Sequence, residues 1–225
     1  MRFVEVGQPA GTVGIFSGEL SRFPEFAIAV EQVRVPVGTT LTWARGVDFV
    51  KAQNDLIRHL AGDWLWLLAD DHDFQPDVLL RLLAHGVEAV VPLVPGRRPP
   101  FRPVLAHGPL GQHTWYTWDE VPSAGLLKLP LGDVVGAAGF LLRRSVLETI
   151  QPPWFAAGQW DPEIVGEDLY LCGKLIEAGI PIHVDCDVVF DHITPCSVRP
   201  VVKPGGVRSV SLVIDATAHR MEYML

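Results

Sequence analysis

Three neighbouring carboxylates are the first candidates for chemistry, Asp70, Asp71 and Asp73, with His72 among them, inside the stretch WLWLLADDHDFQPD that runs from Trp64 to Asp77. Carboxylates this close repel one another and cost stability unless something positive sits among them. Hard oxygen donors suit Mg²⁺ or Mn²⁺ better than zinc, and an ion held this way keeps open positions for substrate phosphates. The competing reading is an acidic turn that caps the next helix, with water solvating the extra charge. A second carboxylate pair, Glu167 and Asp168, follows Gly166 where a helix opens. The helix dipole alone is enough to favour acidic residues in a first turn. Asp191-His192 ends a short apolar run, and a single histidine at a strand end needs no function. Trp154, Phe155 and Trp160 lie in one loop. Exposed, such rings bind flat ligands, sugars included; buried, they pack.

The elements that must position these groups follow from the hydrophobic pattern. Trp64 to Ala69 is apolar at every position, which suits a strand buried on both faces of a parallel sheet. Pro76 and Asp77 open a helix through Leu79, Leu82 and Leu83, and Gly86 stops it. The carboxylates therefore gather at the carboxyl end of a buried strand, where open α/β sheets bind ligands. Thr12 to Phe16 reads as a first core strand ended by Ser17-Gly18. Pro24 starts a helix over Glu25 to Val33, and Arg34 to Val37 reads as a short second strand. Gly38 to Gly46 reads as a loop. Asp48 caps a helix whose apolar face is Phe49, Ala52, Leu56 and Leu60, with Lys51, Gln53 and Asn54 as its polar groups. Glu88 to Val94 is another parallel strand, so strands and helices alternate as in an α/β fold.

The alternation then breaks. Pro95 to Pro109 is a Pro-rich loop with Arg97, Arg98 and Arg102, either a solvated connector or a loop that meets a phosphate. Thr114 to Trp118 and Leu126 to Leu129 read as short strands forming a hairpin across one end of the sheet. Val134 to Arg143 reads as one core strand whose small residues, among them Gly136 and Gly139, let something approach the backbone or simply allow tight packing. After the helix opened by Glu167-Asp168, Pro181 to Val184 and Val188 to Phe190 read as two short strands.

Composition bounds the answer. The 225 residues fit one domain with a small appendage, and 48% apolar residues with a mean hydropathy of +0.24 supply a core. A net charge of −8 argues against broad nonspecific binding to nucleic acid. The N-terminal MRFVEVGQPAG lacks the apolar core of a signal peptide, and no apolar run is long enough to span a bilayer. Cys172, Cys186 and Cys196 form no paired motif, as reduced thiols in a cytoplasmic protein would.

LADDHDF at a strand end, GAAGFLLRRS well downstream, then PWF, GEDLYLCGKLIEAGIPI and a strand ending in Asp191-His192 occur in one order. In this the chain resembles GT-A glycosyltransferases, and most of all the small family-2-like enzymes of bacteriophage genomes, over residues 12 to 193. The resemblance implies an α/β, Rossmann-like GT-A fold: a mostly parallel central sheet flanked by helices, with a small antiparallel part. It implies a transferase domain over residues 1–195 and, over 196–225, a lid with Arg199 and Lys203 and a strand extension that pairs either within the domain or with a second copy as a homodimer. The activity implied is metal-dependent transfer of a sugar from a nucleoside diphosphate sugar, a UDP-sugar first of all, to an acceptor hydroxyl. Inversion is the expected outcome, although several retaining families share the metal motif.

The site residues are carried over one by one. Asp71-His72-Asp73 spells the DxD metal motif, while Ala69-Asp70-Asp71 fits its spacing to Phe74 and Pro76. Asp71 belongs to both registers, and Asp70 and Asp73 compete for second place. His192 matches the histidine that completes the Mn²⁺ or Mg²⁺ site. Asp168 matches the acceptor-activating base, and Glu167 orients the acceptor. Ser17, Lys51, Asn54, Asp70 and Asp71, with Gly139 toward the donor sugar, form the nucleotide-sugar site. Trp154 and Phe155 meet the acceptor. Gln53 stands where the family often has arginine, which leaves the usual arginine–phosphate contact in question. The acceptor could be a protein, a glycan or a modified nucleobase, and the location cytoplasmic, in the host cell for a phage protein. A sugar nucleotidyltransferase is the competing enzyme, although GQPAGTVG lacks the basic residue of its usual loop; a nucleotide- or sugar-binding protein without catalysis is the competing non-enzyme.

Overall fold

The computed structural model describes the backbone of residues 1–18, 23–46, 48–136, 138–160, 163–202, 208–214 and 219–224. Side chains are described for the same residues apart from 159–160, 163–164, 198–202, 208–213 and 219–224. The first half alternates strands and helices: β1 (Thr12–Ser17), α1 (Pro24–Gln32), β2 (Thr40–Arg45), α2 (Phe49–Arg58), β3 (Trp64–Ala69), β4 (His72–Asp73), α3 (Val78–Ala84) and β5 (Ala89–Leu93). The second half adds β6 (Leu126–Lys128), β7 (Leu141–Arg143), α4 (Arg144–Ile150), α5 (Glu167–Glu177), β8 (His183–Val189) and β9 (Asp191–His192).

Seven strands form one sheet in the order β6-β8-β5-β7-β3-β1-β2. β2, β1 and β3 run parallel, as do β5 and β8, while β7 lies antiparallel between β3 and β5, and β6 antiparallel at the edge. The mostly parallel sheet with a small antiparallel part is the one expected. The continuous apolar run explains itself at β3: Trp64 to Leu68 are all fully buried. Leu65 and Leu67 enter a core with α2, α4 and α5; Trp64, Trp66 and Leu68 enter the opposite core with α1 and α3. With both faces covered, no position can be polar.

Several local expectations are corrected. Residues 40–45, read within a loop, are the edge strand β2, whose outer side has no ladder to satisfy, so exposed Leu41 is tolerated there. Arg34–Pro36 is a strand but pairs with Arg2–Val4 outside the central sheet. The stretch read as one strand from 134 to 143 is two: Val134–Val135 pairs with Leu105–His107, and β7 begins only at Leu141. Between them Gly139 adopts φ +67°, a left-handed turn that glycine adopts without steric cost. Thr114–Trp115 and β6 are not hairpin partners; the first extends the Leu105–His107 pair and the second joins β8. Residues 183–189 are one bulged strand instead of two short ones. The expected lid falls partly on the strand Cys196–Val202, which pairs with Arg208–Ile214 and, through it, His219–Met224; residue 203 and its neighbours to 207 lie outside the described residues.

Candidate functional site

The site is assembled by a two-residue ladder. Beyond the carboxyl end of β3 the chain turns at Asp70-Asp71 and forms β4, and beyond β8 it forms β9. The two pair antiparallel, His72 opposite His192 and Asp73 opposite Asp191. The amide of Ile193 donates to the Asp71 carbonyl at 2.8 Å, which fixes the turn. Behind the ladder Phe74 stacks on Phe190 at 4.9 Å, and Trp66 meets Phe74 edge-on at 5.4 Å. An apolar wall thus supports a polar tip.

At that tip Asp71, His72 and His192 present ligand atoms all within 4.8 Å of one another. Asp71 Oδ2 lies 3.4 Å from His192 Nε2, and Asp71 Oδ1 lies 3.0 Å from His72 Nδ1. The second contact is out of line for a hydrogen bond: Asp71 Oδ1 and both ring nitrogens of the buried His72 lack a hydrogen-bond partner among the described residues. His192 Nδ1 lies 3.0 Å from the Pro95 carbonyl. A carbonyl only accepts, so Nδ1 donates to it, and the ring is held with Nε2 turned toward Asp71. That is the arrangement a metal-binding histidine needs. Burial opposes ionisation of Asp71, but the nearby His192 and His72 prevail and hold its carboxyl far below the usual carboxylate range. A half-buried carboxylate, two imidazoles and unsatisfied ligand atoms fit a divalent cation.

The other expected site residues are distributed as follows. Asp70 is buried beside the group. Asp73 lies outside it, its carboxylate accepting the Phe74 N–H at 2.8 Å. Ser17 ends β1, buried, and its hydroxyl accepts from Trp43 Nε1 at 2.8 Å. Lys51 is exposed, paired with Asp55, and lines a cleft of about 620 Å³ with Trp43 and Arg45. Gly139 has its close neighbours in Pro92 and Phe190: an added Cβ would lie 2.7 and 2.8 Å from them. Phe155 is fully buried, and Trp154 donates from its indole to the Leu147 carbonyl at 2.9 Å.

Asn54 holds that segment. Its amide nitrogen donates to the carbonyls of Val50 and Phe155, both at 2.8 Å, and its oxygen accepts the N–H of Trp154 at 3.0 Å and of Phe155 at 3.3 Å. Replacing Asn54 with alanine would strand buried backbone groups and should destabilise the fold by about 3 kcal/mol in chemical denaturation. Its neighbour in the helix, Gln53, is fully buried, with neither amide atom hydrogen-bonded among the described residues.

Asp168 sits in the first turn of α5, its Oδ1 accepting the Leu169 N–H at 2.8 Å. Burial raises its pKa, helped by the charge of Glu167, and outweighs the opposing hydrogen bonds and the nearby His113. A helix N-terminus alone would lower it. An added Cβ at Gly136 would lie 2.5 Å from Val104 Cγ1 and 3.7 Å from Asp168 Oδ2, so Val104 packs against the backbone there and the carboxylate lies alongside. Two participants went unrecognised in the sequence. His72 was hidden as the middle letter of a motif whose flanking aspartates drew attention. Arg97, whose Nη1 donates to Asp71 Oδ2 at 3.1 Å, comes from a loop with no periodicity to place it.

A parallel sheet with one antiparallel strand threaded through it, helices on both faces and an Asp–His group at its carboxyl edge make a mixed α/β fold similar to that of a GT-A glycosyltransferase. Among solved structures, the chain is similar to A197 from STIV, with a TM-score of 0.52 and 12% identity over 92% of this chain and 96% of that one. It is also similar to GalNAc-T7 determined with UDP, GalNAc and Mn²⁺, with a TM-score of 0.54 and 11% identity over 82% of this chain. The match spans 43% of the GalNAc-T7 chain. No family model and no curated protein sequence matches this chain. Among the described residues no helix is long and apolar enough to cross a membrane.

Proposed function

We propose that this protein is a metal-dependent glycosyltransferase that moves a sugar from a nucleoside diphosphate sugar, in the first instance a UDP-sugar, to an acceptor hydroxyl with inversion. The observation that carries the reading is the convergence of Asp71, His72 and His192 at the carboxyl edge of a GT-A-like sheet. The order of LADDHDF, GAAGFLLRRS and GEDLYLCGKLIEAGI assigns it to the small family-2-like enzymes of phage genomes, with residues 1–195 as the transferase domain and 196–225 as lid and strand extension, working in the cytoplasm.

Asp71, His72 and His192 would hold the ion. Two imidazole nitrogens in the set favour Mn²⁺ over the strictly oxygen-seeking Mg²⁺. When bound, the ion neutralises the charge that grows on the departing nucleoside diphosphate. The bond from the anomeric carbon to the diphosphate oxygen breaks as that carbon bonds to the acceptor oxygen. Asp168 takes the hydroxyl proton, and its raised pKa makes it a better base than an ordinary aspartate. Glu167 beside it would orient the acceptor.

Thermal unfolding with a panel of nucleoside diphosphates, each with and without Mn²⁺, tests the donor site. One nucleotide together with metal should stabilise the fold by about 2.7 kcal/mol at a hundredfold excess over its Kd. No metal-linked shift with any nucleotide would count against the reading. Binding with neither transfer nor donor hydrolysis would favour a nucleotide-binding protein without catalysis.

A further inference from the structure

We propose that the pocket walled by Arg97, Arg98, Arg102 and Trp115 binds a phosphoryl group carried by the acceptor, an assignment that rests on the glycosyltransferase reading. The pocket has a volume of about 500 Å³ and is lined also by Val104 and His192. Its lining includes no carboxylate residue, although the chain as a whole carries a net charge of −8. Arg97 is already paired with Asp71 at 3.1 Å, so the charge this wall offers a ligand comes first from Arg102, with Arg98 beside it.

The loop that carries them is built to hold a shape. The Gly96 N–H donates to the Arg102 carbonyl at 2.8 Å, closing residues 96–102 into a ring. Inside it the Phe101 N–H donates to the Arg98 carbonyl at 2.8 Å, and from outside Trp118 Nε1 donates to the Phe101 carbonyl at 2.8 Å. Pro95 and Pro103 pair across its neck. Prolines at 95, 99, 100 and 103 restrict the backbone further, so little freedom is lost when a ligand is gripped.

The position of the pocket says which substrate it serves. One wall is His192, a member of the metal group. Another is Val104, which borders Gly136 and, through it, Asp168. The pocket therefore adjoins the group that would hold the donor diphosphate, and its Val104 wall neighbours Gly136, next to the carboxylate that would activate the acceptor. Arginine forks match phosphate oxygens in pairs, and a phosphomonoester carries up to two charges and three acceptor oxygens against the one charge and two oxygens of a carboxylate. Arginines on one wall thus suit a phosphoryl group better than a carboxylate. Arg102 has no ion-pair partner among the described residues. Exposed Trp115 at the rim offers a flat face to the ring of a sugar or base attached to that phosphate.

Inorganic phosphate is the probe, titrated calorimetrically at low ionic strength into the wild type and into the double variant Arg98→Gln/Arg102→Gln. Both side chains are exposed and lie outside the metal group, so the variant should fold, which its unfolding midpoint verifies. Phosphate affinity should fall by about tenfold or more on losing charge-assisted hydrogen bonds. Binding of the nucleoside diphosphate with Mn²⁺ should be unchanged, and phosphate should still bind when that nucleotide saturates the protein. Phosphate that fails to bind, or that binds equally to the variant, overturns the proposal. Competition between phosphate and the nucleotide would assign the arginines to the donor diphosphate and overturn it as well. Variant-sensitive phosphate binding in a protein that binds no nucleoside diphosphate would leave an anion site standing but overturn its assignment to an acceptor.

Discussion

Replacing Asp71 with alanine should abolish metal-linked nucleotide binding, with Mn²⁺ affinity falling by about a hundredfold or more. Asp71 is the only carboxylate in the group, and it touches both histidines. Without it two neutral imidazoles face a divalent ion with no charge to offset its dehydration. His192→Ala should come close to the same loss, since the Pro95 carbonyl holds that ring with Nε2 free to coordinate. Asp73→Ala is the informative control. Its carboxylate sits on the Phe74 N–H outside the group, so the same substitution should cost far less metal affinity. Calorimetric titration of Mn²⁺ into each protein reads the three losses directly. Equal losses at Asp71 and Asp73 would mean that the loaded site rearranges to a literal DxD. No loss at Asp71 would leave the whole stretch as an acidic turn.

Asp168→Asn should reduce sugar transfer by about a hundred- to ten-thousandfold while leaving nucleotide and metal binding intact. The amide keeps the shape of the side chain and removes the base. In the wild type the base must be ionised, so the rate should fall as pH drops through its pKa. Burial raises that pKa, so the acid limb of kcat/KM should lie above the range of an ordinary aspartate. The same shift has a sign in stability. Between its unfolded and folded pKa values the folded protein binds more protons at Asp168 than the unfolded chain does. Stability from this group is therefore present below the unfolded pKa and lost as pH rises through the folded one. Asp168→Asn is free of that loss and should melt higher than the wild type at neutral pH, with the difference vanishing in acid. A variant that is inactive but no more stable at neutral pH would place the carboxylate in the mechanism without the burial cost. Full activity would remove it from the mechanism.

The elements that place these groups differ in how legible they were. β3 announces itself because a strand covered on both faces must be apolar at every residue, and Trp64 to Leu68 are. α2 and α5 carry their own start signals, and the Asp48 side chain does accept the Lys51 N–H at 2.8 Å. β2 was unreadable as a strand because an edge strand has one unladdered side and needs no uniform burial. The strand from 134 to 143 was misread because a glycine-centred turn inside an apolar run changes the direction of the chain without changing its hydrophobicity.

By itself the sequence determined the class of fold, the buried strand that ends in carboxylates, and the helix that presents Glu167 and Asp168. Those are local properties, set by periodicity, caps and breakers within a dozen residues. Only the tertiary structure decided that His72 stands opposite His192, that Arg97 reaches Asp71, that Asn54 binds the backbone of Trp154 and Phe155, and that Gly136 lies beside Asp168. Each of these joins residues far apart in the chain. Such contacts depend on strand register and on where loops close, and a one-residue change of register would turn His192 to the other face without altering any local pattern.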